Sequence, residues 1–282
     1  MFEENLIAEM SGVGITPAQI NRIRKSNRFR NLVDTAGTIP QGADRSQAIL
    51  NEKIAMYSRA GIVTSTSYLR AEILLSSAVN NLNFNFLAAQ QSNQAQNNIV
   101  TNRLLGQNDT FTALGMAFYI KKTVKAAGAT TVPTDAQQAG AVLRTYANPL
   151  VFTGAESLAL EAFYNGFISV KIDTTDFIPS LPAMSFRRVA TSQQLVGSSA
   201  TSNSPIQNDE FNQAFYGRVD VKPSFEFSGS SQIQIVNNLP TSVDGTAVVN
   251  TGSNYAVMVL LGYLHSGAAS EFQKRQTKAQ KM

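Results

Sequence analysis

The chain has 282 residues, 43% of them hydrophobic, enough to bury the core of one large β domain or two small ones. It has no cysteine and one histidine, which excludes disulfides, thiol chemistry and metal sites built on Cys and His; stability must come from packing or from association with other chains. No run of eighteen apolar residues exists to cross a membrane, and the acidic start MFEENLIAEM lacks the layout of a signal peptide, so export by the usual route is not expected.

The net charge of +4 is unevenly placed. Arg22, Arg24, Lys25, Arg28 and Arg30 form one basic run, and Lys274, Arg275, Lys278 and Lys281 form another. Without these nine, fourteen Lys and Arg face nineteen Asp and Glu, a net −5. A mildly acidic body with two basic extremities suits contact with nucleic acid or anionic lipid, and it equally suits a solvated helix face and a soluble tail.

In chain order, the first elements are helical. Thr16, Pro17 and Gln19 supply an N-cap, a first-turn proline and a capping-box glutamine for a helix that stops near Asp34, with Ile20 and Ile23 on one face and the arginines opposite. A second helix, RSQAILNEKIAMYSRAG, places Leu50, Ile54 and Tyr57 on one stripe and ends in Gly61. Both are thinly apolar and need another surface to lie on.

From about Thr64 the period changes from 3.6 to 2. YLRAEILLS, NLNFNFLA, FTALGMAFYIKK, GFISVKID, MSFRRVA, YGRVDVKPSFEF, SQIQIVNN and NYAVMVLLGYL read as eight strands. In the second, Leu82, Phe84 and Phe86 point to one face, and Asn81, Asn83 and Asn85 to the other. NYAVMVLLGYL is apolar almost throughout, which suits a strand covered on both sides or a buried helix; its Tyr and Val content favours the strand. Three insertions rich in Gln, Asn, Ser and Ala (88–98, 126–141 and 191–209) separate strands, and ESLALEAFYNG is the one helix expected in the β region. Three regions follow: a helical N-terminal arm over 1–63, a β-sandwich with long polar loops over 64–268 and a basic C-terminal tail over 269–282.

Catalytic patterns are scarce. His265 follows the last strand and has no G-x-S-x-G elbow to serve, so a surface or inter-subunit histidine is expected. Gly12 and Gly14 lack a third glycine and a preceding strand, and no phosphate-loop motif is present. Asp173 and Asp176 can bind a hard cation, but in a strand-to-strand turn they serve first as turn formers. Phe163, Tyr164, Phe167, Phe215, Tyr216, Phe225 and Phe227 suggest a stacking platform, yet their strand spacing beside apolar neighbours assigns them to the core.

Eight antiparallel strands with long polar loops, one crossover helix, a helical N-terminal arm and basic ends resemble the jelly-roll coat proteins of tailless icosahedral viruses, bacteriophages above all. The resemblance spans residues 64–268 and is one of pattern, with no signature peptide. It implies a mainly β, antiparallel jelly-roll sandwich of two four-stranded sheets, a single roll, the double roll of membrane-containing phages being the alternative. It implies a capsid protein without enzymatic activity or cofactor, made in the host cytoplasm and residing in the virion. Such a subunit forms homotrimers or pentamers within an icosahedral shell. Other virion proteins would be partners, and the nine basic residues would touch genome nucleic acid, an internal membrane or neighbouring subunits. Abundant neutral polar side chains suit wide, uncharged contacts between identical copies. A tail, fibre or lectin-like module and, further off, a carbohydrate-active enzyme are the competing classes.

Overall fold

The chain divides into two units, Met1–Gly61 and Ile62–Met282, of which the computed structural model describes residues 45–90, 99–124, 133–148, 151–152, 154–189, 217–247 and 252–280. The helix expected over Thr16–Asp34 lies outside the described residues, as do Phe215, Tyr216 and most of the three polar insertions. In the first unit the described element is α1 (Arg45–Arg59). Leu50 and Tyr57 are its buried positions, with Ile54 half-buried between them. The helix ends as expected: Gly61 takes φ +74°, a left-handed residue just past the last turn.

The second unit contains two antiparallel four-stranded sheets. Its strands are β1 (Thr64–Leu74), β2 (Val79–Phe84), β3 (Thr110–Thr123), β4 (Phe167–Ile172), β5 (Thr175–Pro182), β6 (Arg218–Ser228), β7 (Ile233–Val243) and β8 (Ser253–His265). The first sheet runs β1-β8-β3-β6 and the second β2-β7-β4-β5. Alternation decides which side chains enter the space between them. Leu69 and Ala71 of β1, Phe111, Met116, Phe118 and Ile120 of β3, and Met258 and Leu260 of β8 are buried there. From the second sheet come Leu82, Phe84, Ile168, Val170, Ile233 and Ile235. Phe118 lies at the centre, edge-on to Phe84 (6.1 Å) and to Tyr164 (5.2 Å); such pairs add about 0.5–1.5 kcal/mol each beyond the area they bury.

Between β3 and β4 the chain forms α2 (Asp135–Ala139) and α3 (Gly154–Glu161), the latter running into a 3₁₀ turn over Ala162–Asn165. Helix α2 lies in what reads as a polar loop. Its start is a capping box: the Gln137 backbone N–H donates to Thr134 Oγ1, and the Thr134 N–H donates to Gln137 Oε1 at 2.8 Å. Helix α3 and its turn are the expected crossover. Leu160, Phe163 and Tyr164 join the core, whereas Leu158 is 78% exposed.

One strand differs from the expectation. The described part of MSFRRVA, Met184–Val189, is not a strand; Ala183–Phe186 is a 3₁₀ turn, and the strand is β5, one segment earlier, after a tight turn at Asp173 and Thr174. Pro179 and Pro182 argue against a strand in sequence, but β5 lies at a sheet edge, where a missing ladder N–H costs little. The C-terminal segment forms α4 (Ala269–Gln280), held to the sandwich by buried Phe272, by Gln273 Nε2 donating to Ser230 Oγ (2.9 Å) and by the Ala269 N–H donating to the Asn108 carbonyl (3.0 Å).

Burial of Tyr164 raises its hydroxyl pKa well above the ordinary tyrosine value, and the Glu161 carboxylate nearby adds to the shift. Between that ordinary value, about 10, and the raised one, the folded chain keeps a proton that the unfolded chain has lost, so stability falls as pH rises through this window. Tyr164→Phe removes the linkage. Urea midpoints at pH 8 and 11 are expected to show the parent losing about 1.4 kcal/mol more than the variant per pH unit above 10; parallel losses would disprove this role for Tyr164.

Candidate functional site

The nine basic residues do not come together as one described site. Arg22, Arg24, Lys25, Arg28, Arg30 and Lys281 lie outside the described residues. Lys274, Arg275 and Lys278 belong to α4, where Lys274 is exposed and pairs with Glu271 one turn earlier at 2.6 Å. The chain enters β1 and leaves β8 at one corner of the sandwich. Thr64, the first residue of β1, is directly opposite His265, the last of β8, and the Ser266 N–H donates to the Val63 carbonyl at 3.1 Å.

His265 is not a surface or inter-subunit histidine following the last strand; it is the final residue of β8, interior to the chain. It is fully buried, with Nδ1 2.8 Å from Thr64 Oγ1 and Nε2 3.0 Å from Thr112 Oγ1. The ring fastens β8 to the strands on either side of it, a role invisible in sequence because its hydroxyl partners lie 201 and 153 residues away. Asp173 acts as a turn former: at φ +52° its Oδ1 accepts from the Gln232 N–H (2.8 Å) and its own N–H donates to the Gln232 carbonyl (2.7 Å). Asp176 sits opposite Lys171 in the β4–β5 ladder. Among the described residues no three acidic or histidine side chains gather to hold a metal ion. Of the aromatic set, Phe163, Tyr164, Phe225 and Phe227 are core residues, but Phe167 is 49% exposed.

Sequence reasoning missed a buried charge cluster on the outer side of the first sheet. Glu72 of β1 and Lys121 of β3 are ion-paired with both side chains fully buried. Glu72 Oε1 accepts from Arg70 Nε and from Thr101 Oγ1, each at 2.6 Å, and the Glu72 N–H donates to Asn102 Oδ1 at 3.0 Å. Lys121 Nζ donates also to Thr101 Oγ1 (3.1 Å) and, at 3.5 Å, to the Gln138 carbonyl, and it lies 5.0 Å from the centre of the Tyr255 ring. Burial lowers the basicity of Lys121 while the Glu72 carboxylate opposes that shift. Glu72 and Lys121 are closed to solvent, with Arg70 at the partly exposed rim of the cluster. The cluster pins the segments carrying Thr101, Asn102 and Gln138 to the sheet.

Above the same sheet, Ile99 and Leu143 pack on Tyr119, Tyr255 and Val257. Arg103 extends the edge beside β1, and Arg144 pairs with Ile120 of β3. The chain therefore covers much of this outer surface with its own segments. A nearby groove of about 380 Å³ is lined by Lys122, Val142, Arg144 and Val151 among others, but the Lys122 ammonium is already engaged by Glu156 at 2.8 Å.

The outer surface of the second sheet differs. Its side chains stand in rows set by the ladders: Asn81, Asn238, Phe167 and Pro182 in the first, Asn83, Val236 and Ser169 in the second, Gln234, Lys171 and Asp176 in the third. Val236 and Ser169 are half-buried, and the others are exposed. Lys171 is the one charged residue in β2, β4 and β7.

No protein-family model matches the chain, and no curated protein matches its sequence significantly.

Proposed function

We propose that this chain is a viral capsid protein, a single jelly-roll subunit that assembles with copies of itself into an icosahedral shell. The observation that carries the reading is the strand order. β1 pairs with β8, β2 with β7, β3 with β6 and β4 with β5, and joining β8 to β3 and β7 to β4 completes the two sheets. That order is what an antiparallel ribbon of eight strands gives when wound into a sandwich, the winding of jelly rolls. Each strand is used once, which supports one roll rather than two.

Coats, lectins and cupins share this winding, so it does not by itself choose a function. The surface favours the coat: one sheet presents a broad, almost uncharged field of amides, suited to contact with identical chains. On this reading the copies form trimers or pentamers within a virion, beside other virion proteins. The two basic segments face genome nucleic acid, an internal membrane or a neighbouring subunit. Electron microscopy and light scattering of the purified chain test the proposal. Closed particles of uniform diameter, or symmetric oligomers that build them, are expected; fibres, tubes or a monomer persisting to near-millimolar concentration would overturn it in favour of a tail, fibre or binding module.

A further inference from the structure

We propose that the exposed face of the β2-β7-β4-β5 sheet is the surface through which one copy of this chain binds a second, the same face meeting its counterpart. The inference rests on the self-assembly reading and adds to it a two-fold contact, separate from the contacts that close trimers or pentamers.

Asparagine and glutamine each carry donors and an acceptor, so a patch built of Asn81, Asn83, Gln234 and Asn238 can satisfy an identical patch in a symmetric contact. A patch of one charge would repel its own copy. Here Lys171 faces Asp176 across the ladder, leaving little net charge. An apolar anchor adjoins the amides. Phe167 is 49% exposed, Pro182 stands opposite it, and the Ala183 N–H, donating to the Gly166 carbonyl at 2.9 Å, brings the 49%-exposed Met184 alongside. Aromatic and Met anchors bordered by amides match the composition of protein interfaces, in which charged residues are depleted at the core.

Two features point to the face rather than to other parts of the sandwich. The edge strand β5 carries Pro179 and Pro182, which remove ladder donors and discourage a further strand from adding there. The outer side of the first sheet is partly occupied by Ile99, Leu143 and the segments that the Glu72–Lys121 pair holds down.

The test is sedimentation velocity of the full chain with Asn81→Glu/Asn238→Glu, Phe167→Lys and, as a charge control away from the face, Val100→Glu. All four positions are exposed, so circular dichroism and thermal midpoints are expected to stay near the parent's. The double variant and Phe167→Lys are expected to weaken self-association at least about tenfold, with Val100→Glu unchanged. A parent that associates together with face variants that associate equally well would overturn the proposed surface and leave the self-assembly reading intact. A parent that never associates would overturn both.

Discussion

Lys121→Met is expected to lower unfolding free energy by about 3 kcal/mol or more, because it leaves the Glu72 carboxylate buried without its ammonium partner. The loss exceeds that for an exposed pair such as Lys274–Glu271, whose members keep their hydration. Desolvation makes the intact Glu72–Lys121 pair costly to bury as well. Glu72→Leu/Lys121→Met, with no charge left to desolvate, is therefore expected to be more stable than the sum of the single changes allows, by about 1 kcal/mol or more. Urea unfolding of the four proteins gives the cycle directly. A single variant within about 0.5 kcal/mol of the parent would mean that Arg70 and Thr101 suffice for Glu72 and that Lys121 clamps nothing.

Gly252→Ala is the second change with a large expected effect. Gly252 enters β8 at φ +145°, a conformation that side-chain-bearing residues rarely adopt, and a Cβ there would lie 1.7 Å from the Thr123 carbonyl oxygen. The backbone cannot yield cheaply, since Thr123 Oγ1 donates to the Ser253 carbonyl at 3.1 Å and the two residues are ladder partners. Backbone strain alone costs about 1–3 kcal/mol, and the clash adds to it. A thermal midpoint lower by about 6 °C or more is expected. Gly154→Ala, whose added methyl meets nothing within 4 Å, serves as the control and is expected to be neutral or slightly stabilising. Equal midpoints for the two would show that the start of β8 accommodates a side chain.

Local chemistry explains which elements were legible in the sequence. NLNFNF alternates because Leu82 and Phe84 face the core and Asn81 and Asn83 face outward, so period 2 was a sound guide. NYAVMVLLGYL lacked alternation because β8 lies between β1 and β3 and is covered on both sides over most of its length. TDFIPSLP hid a strand behind two prolines, and MSFRRVA imitated one although Phe186 enters the core from a 3₁₀ turn. Glu72 and Lys121 occupy the outward positions of their strands, which normally means solvent. They are buried only because residues 101–102 and 138, distant from β1 in sequence, fold over them. His265 was misplaced for the same reason. Nothing within a few residues of it announces Thr64 or Thr112.

The nesting of the strand pairs also bears on how the chain reaches this state. β4 and β5 are separated by only Asp173 and Thr174, whereas Thr64 meets His265 across 201 residues. Closing the short loop costs the least chain entropy, and each ladder formed shortens the effective loop of the one outside it. The favoured order therefore runs outward from the Asp173 turn through β3–β6 and β2–β7 to β1–β8. Contacts so distant in sequence make for slow folding. Until the outermost ladder closes, β8, the most apolar strand, retains an unpaired edge, and that interval is when newly made chains are most exposed to pairing with one another out of register.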